Sequence, residues 1–207
     1  MRTRIDYLAD KYSFTELNER PHLRRQWQDV LEECRQTEAG PEERLRIALL
    51  NVDYVTSFEL PFRLLLIRTP QQIAALREEW DISQKNVMFN DKRFGCVYSL
   101  KASLSGVPDT YRYHLSHRIR RMVGNESTSS PYQQVAREVK APRERLKYAL
   151  EAGLLVTALD GLFWFGSQRI AADVLRLRKA GMPVVTTTVE VHDNLTGTTR
   201  KVPAYHL

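Results

Sequence analysis

The sequence contains little cysteine and no long uninterrupted apolar segment. Its two cysteines among 207 residues, Cys34 and Cys96, each occupy an apolar position of a patterned segment, so buried free thiols are expected rather than a disulfide. The longest apolar stretch, near 60–67, is interrupted by Pro61 and Arg63 and falls short of the ~20 residues that span a bilayer. The first twelve residues lack an apolar signal core. We therefore expect a cytoplasmic protein that does not enter a membrane.

Motifs of phosphate-binding and hydrolytic enzymes are also missing. The chain has no glycine-rich phosphate loop, no G-x-S-x-G motif and no patterned set of carboxylates. His114 and His117 have an H-x-x-H spacing, but no nearby cysteine or carboxylate completes a metal site. We expect a protein that is not an enzyme, with no catalytic residue, no metal and no cofactor.

Positive charge is concentrated in the C-terminal half. The net charge is +6, yet residues 1–100 carry 15 basic against 16 acidic side chains. Residues 101–142 carry 7 against 3, and residues 143–207 carry 9 against 6. A basic excess of this kind is compatible with a polyanionic partner, although many proteins have a similar isoelectric point.

An internal repeat is the most informative feature that the chain does contain. Residues 41–77 recur at 142–178 at a constant offset of 101, with 12 identities in 37 positions and no gap. Chance would give about two or three. The identities fall mostly at apolar and capping positions, which indicates two copies of one core. They are Pro41/Pro142, Glu43/Glu144, Arg44/Arg145, Leu45/Leu146, Ala48/Ala149, Leu49/Leu150, Val55/Val156, Thr56/Thr157, Phe62/Phe163, Arg68/Arg169, Leu76/Leu177 and Arg77/Arg178.

Each copy predicts three helices followed by a β-hairpin. In the second copy, Pro142 begins the first helix, Thr157-Ala-Leu-Asp160 is a capping box for the second, and Ser167 is the expected cap of the third. Alternating β-branched residues from Val184 predict the hairpin, with its turn at 193–197. The first copy repeats this order, with a third helix ending near Trp80, a turn at Asn90-Asp91 and the same Tyr-x-Leu finish.

The C-terminal ~65 residues resemble a small winged-helix family of phage and plasmid genomes. In that family the third helix reads roughly R-x-A-A-x-I-x-x-L-R-x-x-G-x-x-I and the domain ends in Tyr-x-hydrophobic. Here the matching segments are 169–184 and Ala204-Tyr-His-Leu207, with Asp173 as a departure. The resemblance implies an α+β, mostly helical fold of tandem winged helix-turn-helix domains with an N-terminal helical extension.

The predicted organisation has four parts. Residues 1–40 form the helical extension, with a capping box at 13–16 and a helix from Pro21, and residues 41–100 form the first winged-helix domain. Residues 101–141 hold a basic helix at 109–123 and a linker at 125–131, and residues 142–207 form the second winged-helix domain.

A third helix of this type places its N-terminal half in the major groove of double-stranded DNA, and the hairpin contacts the backbone. Arginine pairs with guanine, glutamine with adenine and aspartate with cytosine, although Asp173 can equally hold neighbouring guanidinium groups in place. The candidate DNA-binding residues are Ser167, Gln168, Arg169, Ala172, Asp173, Arg176, Asn194, Thr196, Thr198, Thr199, Arg200 and Lys201. Auxiliary backbone contacts are expected from Arg112, Arg118, Arg120 and Arg121.

The first copy carries a different face at the equivalent positions. That face is expected to be apolar and acidic, which disfavours phosphate and predicts a dimerisation or partner-binding unit. Its members are Leu66, Ile67, Arg68, Gln71, Gln72, Ala75, Glu78 and Glu79.

The functional hypothesis is a homodimeric, sequence-specific transcriptional regulator of a mobile element. A plasmid or phage replication initiator or partition protein with paired winged helices is an alternative within DNA binding. A protein-interaction adaptor that does not bind nucleic acid is an alternative of another class.

Overall fold

The computed structural model describes residues 4–8, 21–110, 120–123, 126–127, 129–167 and 169–207, and only the backbone of 4–8, 120–123 and 126–127. The chain divides into two compact units. Of the described residues, the N-terminal unit comprises 21–110 and 195–197, and the C-terminal unit comprises 4–8, 120–123, 126–127, 129–167, 169–194 and 198–207. Within the described residues, no helix has the length and apolarity needed to cross a membrane.

The N-terminal unit has the element order that the sequence predicts for the first copy. A short strand lies between the first two helices of the repeat, and the three strands form an antiparallel sheet in the order β2-β4-β3. The third helix ends at Leu76 rather than near Trp80. The elements are α1 (Pro21–Gln36), α2 (Pro41–Asn51), β2 (Val55–Thr56), α3 (Leu60–Arg63), α4 (Thr69–Leu76), β3 (Ser83–Phe89) and β4 (Lys92–Ser99).

The C-terminal unit repeats this order and adds strands to the sheet. The second helix of the repeat begins as α7 and continues as a π-helix, Gly161–Phe165. The sheet has six strands in the order β6-β5-β1-β8-β9-β7, in which β1 runs parallel to β8. The elements are β1 (Arg4–Leu8), β5 (Arg120–Val123), β6 (Glu126–Ser127), α5 (Ser130–Glu138), α6 (Pro142–Glu151), β7 (Val156–Thr157), α7 (Ala158–Asp160), α8 (Ile170–Lys179), β8 (Val185–Asp193) and β9 (Thr198–His206).

Two predictions outside the repeat are wrong where the structure describes them. Residues 4–8 are a strand rather than part of a helical extension, and residues 120–123 are a strand rather than the end of a basic helix. The predicted linker at 125–131 contains β6 and the start of α5. Pairing with strands distant in the chain overrides the local helical spacing here. The predicted capping box at 13–16 and positions 111–119 lie outside the described residues.

Both copies bury the same apolar positions. Leu45 and Leu146 are fully buried, as are Val55 and Val156. The predicted capping box is complete at Thr157–Asp160. In the first copy Thr56 Oγ1 accepts a hydrogen bond from the Glu59 backbone N–H, but α3 begins one residue after Glu59 and has no side-chain cap. The two copies therefore share their buried apolar positions and the threonine bond at the start of the second helix.

Cys34 and Cys96 are free and buried. Burial raises the pKa of the Cys34 thiol to about 11, so the reactive thiolate is scarce at neutral pH. In a Cys96→Ala variant, we expect iodoacetamide at pH 8 to leave native Cys34 unmodified and to alkylate it in urea, as followed by mass spectrometry. Modification of the native variant within minutes would contradict this burial.

Candidate nucleic-acid interface

Helix α8 presents a polar, basic face opposite a buried stripe. Ile170, Val174 and Leu177 are buried at i, i+4 and i+7, which fixes the rotation of the helix. The exposed residues that follow from this rotation include a cation at each end of the helix. They are Arg169, Ala171, Ala172, Leu175, Arg176, Arg178 and Lys179.

Repeated arginine contacts hold the second copy in shape. Arg178 Nε donates to Val184 O at 2.8 Å and its Nη2 donates to Thr186 Oγ1 at 2.7 Å, which ties the end of α8 to the start of β8. Arg145 Nε donates to Val139 O at 2.5 Å and fixes the entry to α6. The Arg178 contacts orient α8 relative to the hairpin, so the guanidinium of this exposed residue is already occupied.

The turn before α8 is made by a glycine in a left-handed conformation. Gly166 has φ of +72°, a left-handed conformation that ends the π-helix. Gly161 allows close packing at the other end, because a Cβ there would lie 2.6 Å from Ile170 Cδ1 and 3.2 Å from Ile170 Cβ. The spacing between the second and third helices of this copy therefore depends on both glycines.

Asp173 is bound by its own neighbours. Ser167 Oγ donates to Asp173 Oδ2 at 2.6 Å, and Arg176 Nη1 lies 3.2 Å from Asp173 Oδ1. Arg143 Nε lies 3.8 Å from the same Oδ1. The side chain of Asp173 is only 15% exposed, so its carboxylate is placed to orient guanidinium groups rather than to contact a base. Ser167, expected to cap the helix backbone, bonds instead to this carboxylate.

Arg143 and Lys179 are candidate contact residues that the sequence analysis did not identify. Arg143 lies in the first turn of α6, far from α8 in sequence, and only the fold brings it to Asp173. Lys179 is exposed three residues after Arg176, about one helical turn further along the same face of α8, so its position could have been predicted from helical spacing. A cleft of about 610 Å³ lies between the start of α6 and the start of α8. It is lined by Ala141, Pro142, Arg143, Glu144, Gly166, Ser167, Arg169 and Asp173.

Some candidate residues of the hairpin are exposed, and others already bond to residues of the protein. Arg200 Nη2 lies 2.9 Å from Oδ2 of the fully buried Asp193, so this guanidinium supports the hairpin. Thr196, at the turn, belongs to the N-terminal unit and accepts a hydrogen bond from Arg44 Nη2 at 3.1 Å. Thr198 is partly buried, whereas the exposed candidates are Asn194, Thr199 and Lys201.

Several candidates cannot be placed. Gln168, Arg112 and Arg118 lie outside the described residues, and Arg120 and Arg121 are described only as backbone of β5. Among the described residues, no group of three His, Cys, Asp or Glu side chains is positioned to hold a metal ion.

Comparisons of the chain with models of protein families, with curated proteins and with solved structures find no match. Its function must therefore be inferred from its own residues and geometry.

Proposed function

We propose that this protein binds double-stranded DNA sequence-specifically, with the C-terminal unit acting as a winged helix-turn-helix and α8 entering the major groove. The observation that carries the proposal is the exposed face of α8, where Arg169 and Arg176 are solvent-exposed opposite the buried stripe. Support comes from the element order of this copy and from the position of β9 between β7 and β8. The hairpin follows the third helix, as the wing does in that motif.

In this proposal some side chains contact bases, one orients a base-contacting arginine, and others contact the DNA phosphates. Arg169 and Arg176 read guanine through bidentate hydrogen bonds. Asp173 holds Arg176 in a defined orientation, which lowers the entropy lost when it binds a base. Arg143 and the exposed hairpin residues Thr199 and Lys201 contact phosphates on either side.

A regulator of transcription in a mobile element is the proposed biological role. It follows from the resemblance of the third helix and terminal strand to phage and plasmid winged helices. A replication initiator or partition protein uses the same DNA-binding chemistry, so genomic neighbourhood rather than the interface distinguishes these roles.

The test uses duplexes selected from a random pool by the protein. Fluorescence anisotropy measures the affinity for these duplexes at increasing salt concentrations. We expect affinity to fall linearly on a log–log plot against salt, because bound cations are released from phosphates. Arg169→Ala should weaken binding about 5- to 150-fold, since a bidentate base contact contributes about 1–3 kcal/mol.

The matched control is Arg137→Ala, which removes one exposed arginine from α5 in the same unit. It should change affinity by less than about threefold, the effect of one distant charge. Absence of binding to any selected duplex would contradict the proposal and favour a protein-interaction adaptor. Equal effects of the two substitutions would remove α8 from the interface.

A further inference from the structure

One repeat identity is exposed in both copies at the start of the third helix. Arg68 and Arg169 are exposed, and both adopt a similar non-helical backbone immediately before the helix, with φ/ψ of −117°/38° and −132°/51°. The apolar identities fill the two cores, and Arg77 and Arg178 each donate to the start of the following hairpin. Core packing therefore does not account for Arg68.

The first half of α4 has the exposed pattern of a reading helix. Thr69, Ile73 and Leu76 are buried with the same spacing as the stripe of α8, so the two helices are rotated alike in their copies. Gln71 is exposed on the face that follows from this rotation, whereas the Oε1 atom of the half-buried Gln72 is buried. A glutamine amide can donate to and accept from adenine, and an arginine can pair with guanine.

The apolar and acidic residues expected on this face lie elsewhere in the structure. Leu66 is fully buried in the core instead of facing outward. Glu78 and Glu79 follow the end of α4, outside the half of the helix that contacts bases. Glu79 accepts two hydrogen bonds from Arg46, at 2.8 and 2.9 Å; this pairing lowers the pKa of Glu79, and the guanidinium offsets the negative charge of the carboxylate.

The hairpin that follows α4 is basic at its tip. Asn90 and Asp91 form the turn with φ of 48° and 59°, which places Lys92 and Arg93 at the start of β4. Both cations are exposed, and Arg93 Nη2 also donates to Cys96 Sγ at 3.1 Å. The first copy thus has a polar helix face and a cationic hairpin tip, the two features that a winged helix needs to contact bases and phosphates.

We infer that α4 is a second DNA-reading helix, so that the N-terminal unit binds B-form duplex DNA through the exposed Arg68 and Gln71, with Lys92 and Arg93 on the backbone. This inference rests on the proposed function of the C-terminal unit. One chain then recognises two blocks of sequence, and binding of the second block is intramolecular, which raises the overall affinity.

The experiment uses the full chain and duplexes selected from a random pool by the wild-type protein. The selected sites should contain two conserved blocks. Arg68→Ala/Gln71→Ala should weaken binding at least about 10-fold and abolish base preference in one block, while Arg169→Ala relaxes the other block. Arg25→Ala, an exposed arginine of α1, is the matched control and should retain both preferences with near wild-type affinity.

Circular dichroism spectra and thermal unfolding of each variant verify folding, and all changed side chains are solvent-exposed. Wild-type-like affinity of Arg68→Ala/Gln71→Ala, with one conserved block recognised, overturns the inference and returns α4 to a partner-binding role while leaving the proposed function intact. Failure of the wild-type chain to bind any duplex overturns both.

Discussion

Replacement of Arg44 by alanine should lower the free energy of unfolding of the N-terminal unit by about 2–6 kcal/mol. Arg44 is fully buried; its Nε donates to Ala39 O at 2.7 Å and its Nη1 to Leu64 O at 3.2 Å. Both acceptor residues are themselves buried. The substitution removes a donor from each carbonyl, and an unsatisfied buried carbonyl costs about 1–3 kcal/mol.

Urea unfolding followed by tryptophan fluorescence measures this loss. A Trp164→Phe background confines the signal to Trp27 and Trp80, which both lie in the N-terminal unit. Arg46→Ala is the control, because Arg46 makes a surface pair with Glu79 and should contribute less than about 1 kcal/mol. Similar unfolding midpoints for the two variants would contradict the assigned role of Arg44.

Replacement of Glu59 by alanine should be about as damaging, at about 3–5 kcal/mol. Glu59 Oε1 lies 3.2 Å from Arg63 Nε, and the two side chains are only 7% and 13% exposed. Glu59 also accepts a hydrogen bond from Thr56 Oγ1 at 2.6 Å. Removing the carboxylate deletes the negative charge 3.2 Å from a guanidinium that is only 13% exposed, and removing one partner of such a buried pair is costly.

A double-mutant cycle separates this cost from lost packing. The Arg63 guanidinium lies 4.5 Å from the centre of the Trp27 ring, a position that the apolar side chain of methionine can also fill. Glu59→Ala/Arg63→Met should therefore be more stable than Glu59→Ala alone, with an interaction free energy of at least about 1 kcal/mol in the same urea assay. Additive losses would show that the pair does not act as a unit.

The repeat made much of the fold predictable. Capping boxes are local in sequence, and Thr56 and Thr157 each bond within three residues, so their pattern predicts the contact. Periodic burial likewise follows from spacing, as Ile170, Val174 and Leu177 illustrate. The buried stripes, which depend only on spacing within the helix, were recovered in both copies, whereas the predicted cap Ser167 bonds to Asp173 instead.

Contacts that depend on distant segments were not predictable. Residues 4–7 align with 190–193 only through strand pairing, and no local periodicity in a five-residue segment specifies that partner. Arg143 reaches Asp173 for the same reason, because it takes tertiary packing to bring the start of α6 to α8. The sequence therefore predicted the candidate interface residues of α8 but missed Arg143, which α6 contributes.

One backbone conformation also escaped detection because its residue type changed. Leu65 has φ of +53° at the repeat position of Gly166, whose φ is +72°. Glycine signals a left-handed turn and leucine does not. The turn before the third helix is thus kept in both copies although only one has the residue that favours it, and burial of Leu65 offsets the strain of about 1–2 kcal/mol.

The position of β1 also has a consequence for synthesis on the ribosome. Arg4 pairs with Glu190, a residue translated 186 positions later, so the six-stranded sheet cannot close until β8 and β9 have been made. At about 5–20 residues per second, the first strand waits on the order of ten to forty seconds for its partner. The segments from α1 to β4 emerge consecutively in that interval and can fold first, which makes the order of translation favour the N-terminal unit.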